Sequence, residues 1–523
     1  MRTTAADEIP TAPAAPEHLD VLIVGAGLSG VGAGCHLQRD CPDRRYAILE
    51  ARDAIGGTWD LFRYPGIRSD SDMHTLGYSF APWRDARAIA DGPSILNYIS
   101  DTAQQYGVID KIRCQHRVMG AAWSTADARW TLTVDRADTG EQITLTSSFL
   151  LICTGYYRYD HGYRPELPGV ERFAGELVHP QQWPEELDCA GKRVVVIGSG
   201  ATAITLLPAL AQTAAHVTML QRSPSYVVAL PAEDPLADLA RRWLPPMAAY
   251  QAVRWKNVAM QALSYQFSRR RPHLTKAVIR RQVKRQLPEG FDVDTHFNPR
   301  YDPWDQRLCV CPDGDLFAAL RRDRASIVTD QIRTFTETGL ELESGAQLAA
   351  DVIVTATGLE LLLFGGLTIS IDGREPDLSE QMAYKGMMLG GIPNMAFAIG
   401  YTNASWTLKC DIVLDYVCRL LNHMRERGYD CWVAEPDPTI TPEPLMGLDS
   451  GYILRSVDKL PRQGDRAPWR LRQNYALDAL MLKLGALNDG VLRLSRAGVG
   501  RARRVGCARG NRTRARRGAG LTG

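Results

Sequence analysis

The chain runs to 523 residues, more than one hydrophobic core sustains, so roughly two to four domains are expected. Hydrophobic residues at 45% and charged residues at 23% exclude a fibrous or disordered protein, and no apolar run reaches the ~18–20 residues of a membrane span. The net charge of +2 points to no partner, yet residues 498–523 carry eight Arg and no acid, which leaves the rest of the chain near −6.

Residues 1–17, rich in Ala, Pro and Thr, read as a disordered lead-in. They contain no apolar h-region, so they are no secretory signal and a cytoplasmic protein is expected. From residue 18 strands alternate with helices, the pattern of a parallel α/β sheet. Asp20-VLIVGAGLSGVGAGCHLQ and then Tyr46-AILE predict a buried strand, a Gly-rich turn, a small-residue helix and a second strand. Within the turn, Gly25-Ala26-Gly27-Leu28-Ser29-Gly30 is a G-x-G-x-x-G in the context that a dinucleotide requires. Gly25 permits the tight turn, Gly27 lets a pyrophosphate approach the backbone, and Gly30 lets helix and strand pack closely. The helix N-terminus offers free N–H groups to phosphate. Glu50, at the end of the second strand, can accept hydrogen bonds from ribose hydroxyls.

Those residues fit NAD or FAD. Ile55-Gly56-Gly57-Thr58-Trp59 decides between them, because a Gly-Gly turn shortly after the acid resembles the loop that runs along the flavin in two-dinucleotide flavoproteins. No Cys pair follows it, so thiol–disulfide chemistry is not expected.

The pattern repeats at Lys192-RVVVIGSGATAITLLPAL and His216-VTMLQRS, and the duplication implies a second nucleotide site. Its turn is Gly198-Ser199-Gly200-Ala201-Thr202-Ala203. Where Glu50 stands in the first unit, this one reads Gln221-Arg222-Ser223. A carboxylate there would repel a 2′-phosphate and a guanidinium can bind one, so NADPH is favoured over NADH. Residues 232–290 turn helical, Trp-rich and then basic (Ser268-RRRPHLTKAVIRRQVKRQ). The basic run can meet an anionic membrane or nucleic acid; a solvated helix face is the plainer reading. Cys309 and Cys311 form a C-x-C, a poor metal site alone, and the eleven Cys show no C-x-x-C and no zinc spacing. Reduced thiols and no metal are expected. Leu340-ELESGAQLAADVIVTATG predicts an antiparallel hairpin and a strand ending at Thr357-Gly358. Asn394-MAFAIG predicts a further strand before a helix from about Ser405 to Arg425.

Two longer motifs carry a family resemblance. Phe173-Ala-Gly175-Glu-Leu-Val-His179-Pro-Gln-Gln-Trp183-Pro184 resembles the F-x-G-x-x-x-H-x-x-x-W-P/D fingerprint of Baeyer–Villiger monooxygenases, which are class B flavoproteins. Flavin-containing N- and S-oxygenases share its Phe, Gly and His but usually lack the Trp-Pro ending. Gly56-Gly57-Thr-Trp59-Asp-Leu-Phe-Arg-Tyr64-Pro65-Gly66-Ile-Arg-Ser-Asp70 resembles the same family's G-G-x-W-x4-Y-P-G-x3-D. The similarity runs from about His18 to Leu494 and is closest to the branch of ethionamide-activating enzymes, through stretches such as YDPWDQRLC and GYTNASWTLK.

The resemblance implies an FAD-binding domain of residues 18–160 and 360–497, an NADPH-binding domain of residues 173–226 and 307–358, and a helical insertion of residues 227–306. Residues 498–523 are expected to be a disordered basic tail or a product of out-of-frame reading. It implies that NADPH reduces FAD, that the flavin and O2 form a C4a-peroxide, and that oxygen enters next to a ketone or aldehyde carbonyl. Sulfides or thiocarbonyls are further substrates. The alternatives are an N/S-oxygenase that forms no ester and, from another class, a binding protein whose Arg-rich end contacts nucleic acid. No nucleic acid is the expected partner, and weak membrane-surface contact is left open. Arg307, in Tyr301-Asp-Pro-Trp-Asp-Gln-Arg307, is implied as the cation beside the flavin, and Asp70 as its orienting partner or else the N-cap of the next helix. Thr58, Trp59, Asp60 and Leu61 are implied to line the flavin. Val118 is implied to contact the adenine, and Arg68, Ser69 and Asp70 the nicotinamide. His179 and Trp183 are implied to be hinge residues. Trp406 either lines the substrate pocket or packs in the core.

Overall fold

The structure, a computed structural model, describes residues 15–447 and 449–497. The Arg-rich segment 498–523 and most of the expected lead-in lie outside the described residues.

The first expected unit forms strand β1 (Glu17–Val24), helix α1 (Leu28–Asp40) and strand β2 (Tyr46–Leu49). Strand β1 starts at Glu17, inside the segment expected to be disordered. Glu17 opens the register with Leu145, and its carboxylate takes both Arg113 nitrogens at 2.8 and 2.9 Å. A short helix α2 (Thr58–Leu61) follows, and then β3 (Ile112–Arg113), β4 (His116–Ser124), β5 (Arg129–Arg136) and β6 (Gln142–Ile152).

The second unit comprises β7 (Glu176–Val178), β8 (Arg193–Ile197), α3 (Ala201–Leu210) and β9 (His216–Gln221). The insertion begins with strand β10 (Val227–Leu230) rather than with helix. Its helices are α4 (Pro235–Trp243), α5 (Pro246–Arg270) and α6 (Pro272–Gln286). The chain returns through β11 (Cys309–Pro312), which pairs in parallel with β10, so the β-branched Val227-Val228 run closes the insertion at its base. Next come β12 (Ala325–Thr329), an antiparallel meander of β13 (Ile332–Thr336), β14 (Gly339–Leu342) and β15 (Gln347–Ala349), and β16 (Val352–Thr355). Strand β16 ends at Thr355, before the expected Thr357-Gly358. The Thr357 hydroxyl turns to the Tyr163 carbonyl at 2.7 Å, and Gly358 takes φ +114°, which breaks the ladder. The chain closes with β17 (Thr368–Ile371), β18 (Met395–Phe397), α7 (Trp406–Arg427) and α8 (Tyr475–Leu484). Helix α7 outlasts its expected end by two residues and stops at Gly428, whose left-handed conformation suits a C-cap.

Two sheets organise these elements. One has eight strands in the order β17-β4-β5-β6-β1-β2-β3, with β18 also on β6. The other, β12-β9-β8-β16-β7, is parallel throughout. Both place their Gly-rich turns at the carboxyl ends of central strands, where ligands of open α/β sheets bind. Helix α5 fastens the insertion to the first sheet's surroundings. Its buried Arg254 donates to the carbonyls of His74 and Gly77, at 2.8 Å each, and lies 3.3 Å from Asp411 of α7. Among the described residues no helix is long and apolar enough to cross a membrane, and the ten cysteines there are all free thiols.

Candidate functional site

A cavity of about 680 Å³ runs from the first turn to the face of the second unit, within the range of about 300–1,000 Å³ usual for cofactor sites. Gly25, Gly27, Leu28 and Ser29 form one end of it. Only glycine fits at position 30, because a Cβ there would lie 1.7 Å from the Gly25 carbonyl oxygen. That contact lets α1 begin against the strand end with its N–H groups towards the cavity. Glu50 is buried at the cavity wall. Its carboxylate accepts from the Ala26 amide at 2.7 Å and the Arg52 amide at 3.0 Å. Burial pushes its pKa up, against the pull of those amides, and the net direction is upward.

The Gly56-Gly57 loop crosses the first turn, with the Gly56 amide donating to the Ala26 carbonyl at 3.0 Å. Gly57, Thr58, Trp59 and Leu61 line the cavity beyond it, and the Thr58 hydroxyl lies 3.2 Å from that of Tyr159. Asp60 does not line it. Its side chain is drawn the other way by Arg52, at 2.6 Å, and by Arg63, at 3.5 Å. Val118, beside a β-bulge in β4, lines the cavity.

Arg68, Ser69, Asp70 and Arg307 all reach the same space. The Arg68 guanidinium is held by Asp315 at 2.5 Å. Asp70 is not the cap of the following helix, Met73–Leu76. Asp72 takes that role by accepting from the Thr75 amide at 3.0 Å, since its side chain stands immediately before the first turn. Asp70 instead lines the cavity. Burial pushes its carboxyl above the ordinary range, while Arg307 and Arg68 pull it back. Arg307 has no ion pair among the described residues, and its Nε is buried without a hydrogen-bond partner. Burial works against its charge, but neighbouring Tyr156, Tyr452, Tyr157 and Asp70 hold its pKa above the ordinary guanidinium value.

The second unit contributes Ala201, Thr202 and Thr205 of α3 to the cavity. Gly198, Ser199, Gly200 and Ala203 stand outside its lining, as do Arg222 and Ser223, both exposed. The Ser199 hydroxyl donates to the Ser223 carbonyl at 2.9 Å, which ties the turn to the segment carrying Arg222.

His179 and Trp183 do not reach the cavity. His179 is buried at the end of β7, with Nε2 3.3 Å from the Gly358 carbonyl, and burial lowers its pKa. A Cβ on Gly162 would lie 1.9 Å from its ring, so the two strands of chain passing between the sheets meet at this imidazole. The Trp406 indole, expected either in a substrate pocket or in the core, stands at the edge of this cavity. It lines the cavity, packs 5.1 Å from Tyr156, and donates to the Ser29 hydroxyl at 2.8 Å.

Sequence reasoning missed Tyr156, Tyr157 and Tyr159, which line the cavity just after β6, and Tyr64 and Thr205, which line it as well. The tyrosines follow the carboxyl end of a central strand, and that position was the signal available.

Comparison with known proteins adds three findings. A family model described as flavin-binding monooxygenase-like matches residues 19–237. Over 482 residues the chain is 55% identical to the FAD-containing monooxygenase EthA of Mycobacterium tuberculosis (strain ATCC 25618 / H37Rv), covering 92% of this chain and 98% of that one. It is 54% identical over 482 residues to the EthA of Mycolicibacterium smegmatis, with the same shares covered. Among solved structures, an oxidized steroid monooxygenase bound to NADP matches with a TM-score of 0.73 over 92% of this chain and 100% of that one. At 22% identity that likeness speaks for the fold.

Proposed function

The chain belongs to the class B flavoprotein monooxygenases, on the branch of the FAD-containing monooxygenase EthA, and from that premise we propose that it uses FAD and NADPH to insert one oxygen atom of O2 beside a ketone or aldehyde carbonyl, giving an ester or lactone, and that it also oxidises sulfides or thiocarbonyls. The residues fit FAD: a glycine turn with no room for a side chain at Gly30, a carboxylate at Glu50 and a cavity of dinucleotide size lie in line. FAD, when bound, supplies the electron transfer and the activation of oxygen.

The protein's own contribution is position and charge. Gly25, Gly27, Ser29 and Gly30 seat the pyrophosphate, Glu50 takes the ribose, and Gly57, Thr58, Trp59 and Leu61 lie along the isoalloxazine. Asp60 acts behind them, by fixing Arg52 and Arg63 under the loop. Val118 borders the adenine. Ser69, Asp70 and Thr202 meet the nicotinamide half of NADPH, and Arg68 borders it while held by Asp315. Gly198 to Ala203 present a helix N-terminus to its pyrophosphate, and Arg222 with Ser223 takes the 2′-phosphate. His179 and Trp183 keep the two units in register as they move.

One observation carries this reading: Arg307 is a guanidinium facing the cavity with no carboxylate paired to it among the described residues. A guanidinium keeps its proton at any working pH, so it offers fixed positive charge to an oxyanion developing on the substrate. Asp70 tunes that charge through space without neutralising it. Arg307→Ala should leave FAD content and NADPH oxidation in place and lower ester formation from a ketone by about 10²–10³-fold. Ester formation at a near-normal rate in Arg307→Ala overturns the reading. Sulfoxide without ester from the unaltered enzyme, across a panel of paired ketones and sulfides, assigns it instead to heteroatom oxygenation.

A further inference from the structure

Between Pro235 and Leu287 the chain carries twelve Lys or Arg and one acid, Asp238. Six of these cations have carboxylate partners: Arg241, Arg254, Lys256, Arg269, Lys276 and Arg280. The other six, Arg242, Arg270, Arg271, Arg281, Lys284 and Arg285, are exposed and have no ion pair among the described residues.

Apolar side chains stand uncovered beside them in helical register. On α4, Leu236, Leu239 and Trp243 follow at i, i+3 and i+7, away from buried Ala237, and Trp243 is 80% exposed. On α5, Met260, Leu263 and Phe267 repeat the spacing opposite buried Tyr250, Arg254 and Val258, with Leu263 70% exposed. On α6, Leu274 and Val278 continue into Arg281 and Arg285 along one stripe, opposite buried Ile279 and Val283. Ordinary solvent-facing helices place charge on that side and apolar groups on the other. Here the outward faces hold both bulky apolar groups and unpaired cations, and large uncovered apolar faces mark contact sites.

We propose that the outer faces of α4, α5 and α6 dock onto an anionic membrane surface. Trp243, Leu239 and Leu263 enter the boundary between headgroups and acyl chains, where tryptophan is favoured, and the six free cations meet lipid phosphates. A second copy of the chain is the weaker occupant, because a symmetric contact sets these cations against each other. Anionic lipid supplies both the apolar phase and the opposite charge.

The test is co-sedimentation of the full-length chain with vesicles of equal phosphatidylcholine and phosphatidylglycerol, against phosphatidylcholine alone, at low salt. Residues 498–523 hold eight further Arg, so the decisive comparison is with helix variants of the full chain. Binding is expected only to the anionic vesicles. Both Trp243→Ser/Leu263→Ser and Arg281→Glu/Arg285→Glu should weaken it by about tenfold or more, with NADPH oxidation in solution unchanged. If the serine pair binds as the wild type does, the contact is purely electrostatic and the proposal falls. It also falls if the charge-reversed pair binds normally. A dimer that the serine pair dissociates, together with indifference to vesicles, assigns the face to self-association and overturns it as well.

Discussion

The turns at Gly25–Gly30 and Gly198–Ala203 each join a buried strand to a small-residue helix, yet the first is closed over and the second stands open. Over the first lies the Gly56-Gly57 loop, in contact with it: a Cβ on Gly27 would sit 3.5 Å from the Gly57 Cα. Beneath it the Ala26 amide is taken up by Glu50. A Cβ on Gly200 of the second turn would meet nothing within 4 Å, and Arg222 beside it is exposed. The helices behind the turns differ too. Helix α1 carries His36, set among Asp40, Asp411 and Asp415 at 3.5, 3.5 and 3.2 Å, whereas α3 carries no ionisable residue. The same local motif thus makes an enclosed seat in one context and an open landing in the other. A cofactor retained through many turnovers suits the first, and a nucleotide exchanged at each turnover suits the second.

The contrast can be broken in order of expected effect. Gly30→Val drives a side chain into the Gly25 carbonyl and should abolish flavin incorporation, read as loss of flavin absorbance per protein. Gly200→Ala has room and should keep that ratio at the wild-type value; equal loss in both would erase the distinction between the turns. Glu50→Gln removes a charged acceptor from a buried amide and should cost roughly 1.5–3 kcal/mol, about a tenfold to hundredfold rise in the FAD Kd measured by flavin titration. Arg222→Ala should raise KM for NADPH about tenfold by losing a charge-assisted contact, with KM for NADH and flavin content unchanged. A rise for both nucleotides would place the 2′-phosphate elsewhere.

The smallest effect belongs to α1. Burial opposes the charge on His36, but the surrounding carboxylates of Asp40, Asp411 and Asp415 outweigh it and raise its pKa well above 6.5. A raised histidine contributes stability that is complete below about 6.5 and is lost as pH rises through the folded value. The Asp415 carboxyl, in spite of burial, is held down to about 2 by His36 and Lys483, so its contribution is present above 3.8 and fades as pH falls towards 2. Thermal melts of the wild type should therefore decline on the alkaline side by roughly 2 °C or less. In His36→Gln that alkaline limb should flatten.

Much of this was legible from local rules. Strand–turn–helix repeats, the acid after β2 and the Arg after β9 are short-range features, because phosphate binding at a helix N-terminus needs only neighbouring residues. The hairpin of β14 and β15, the strand β18 and the helix α7 were likewise visible as period changes with turn residues between them. The roles of Asp60 and Asp72 were not. Asp60 lies inside the motif and Asp72 two residues beyond it, but Asp60 answers to Arg52 and Arg63, and Asp72 rather than Asp70 caps the helix that follows.

The amino-acid sequence by itself determined that two nucleotide units exist, in what order, and that the first carries an acid and the second a guanidinium. Backbone hydrogen bonding and glycine sterics decide those matters within some thirty residues of chain. Only the tertiary structure decided which turn is covered. It also decided that Arg307 stands beside Asp70 and the tyrosines after β6 without an ion pair among the described residues, and that the basic helices α4 to α6 turn apolar stripes outward. Enclosure and the choice of ion-pair partner depend on segments hundreds of residues apart meeting in space, and no local pattern encodes that meeting.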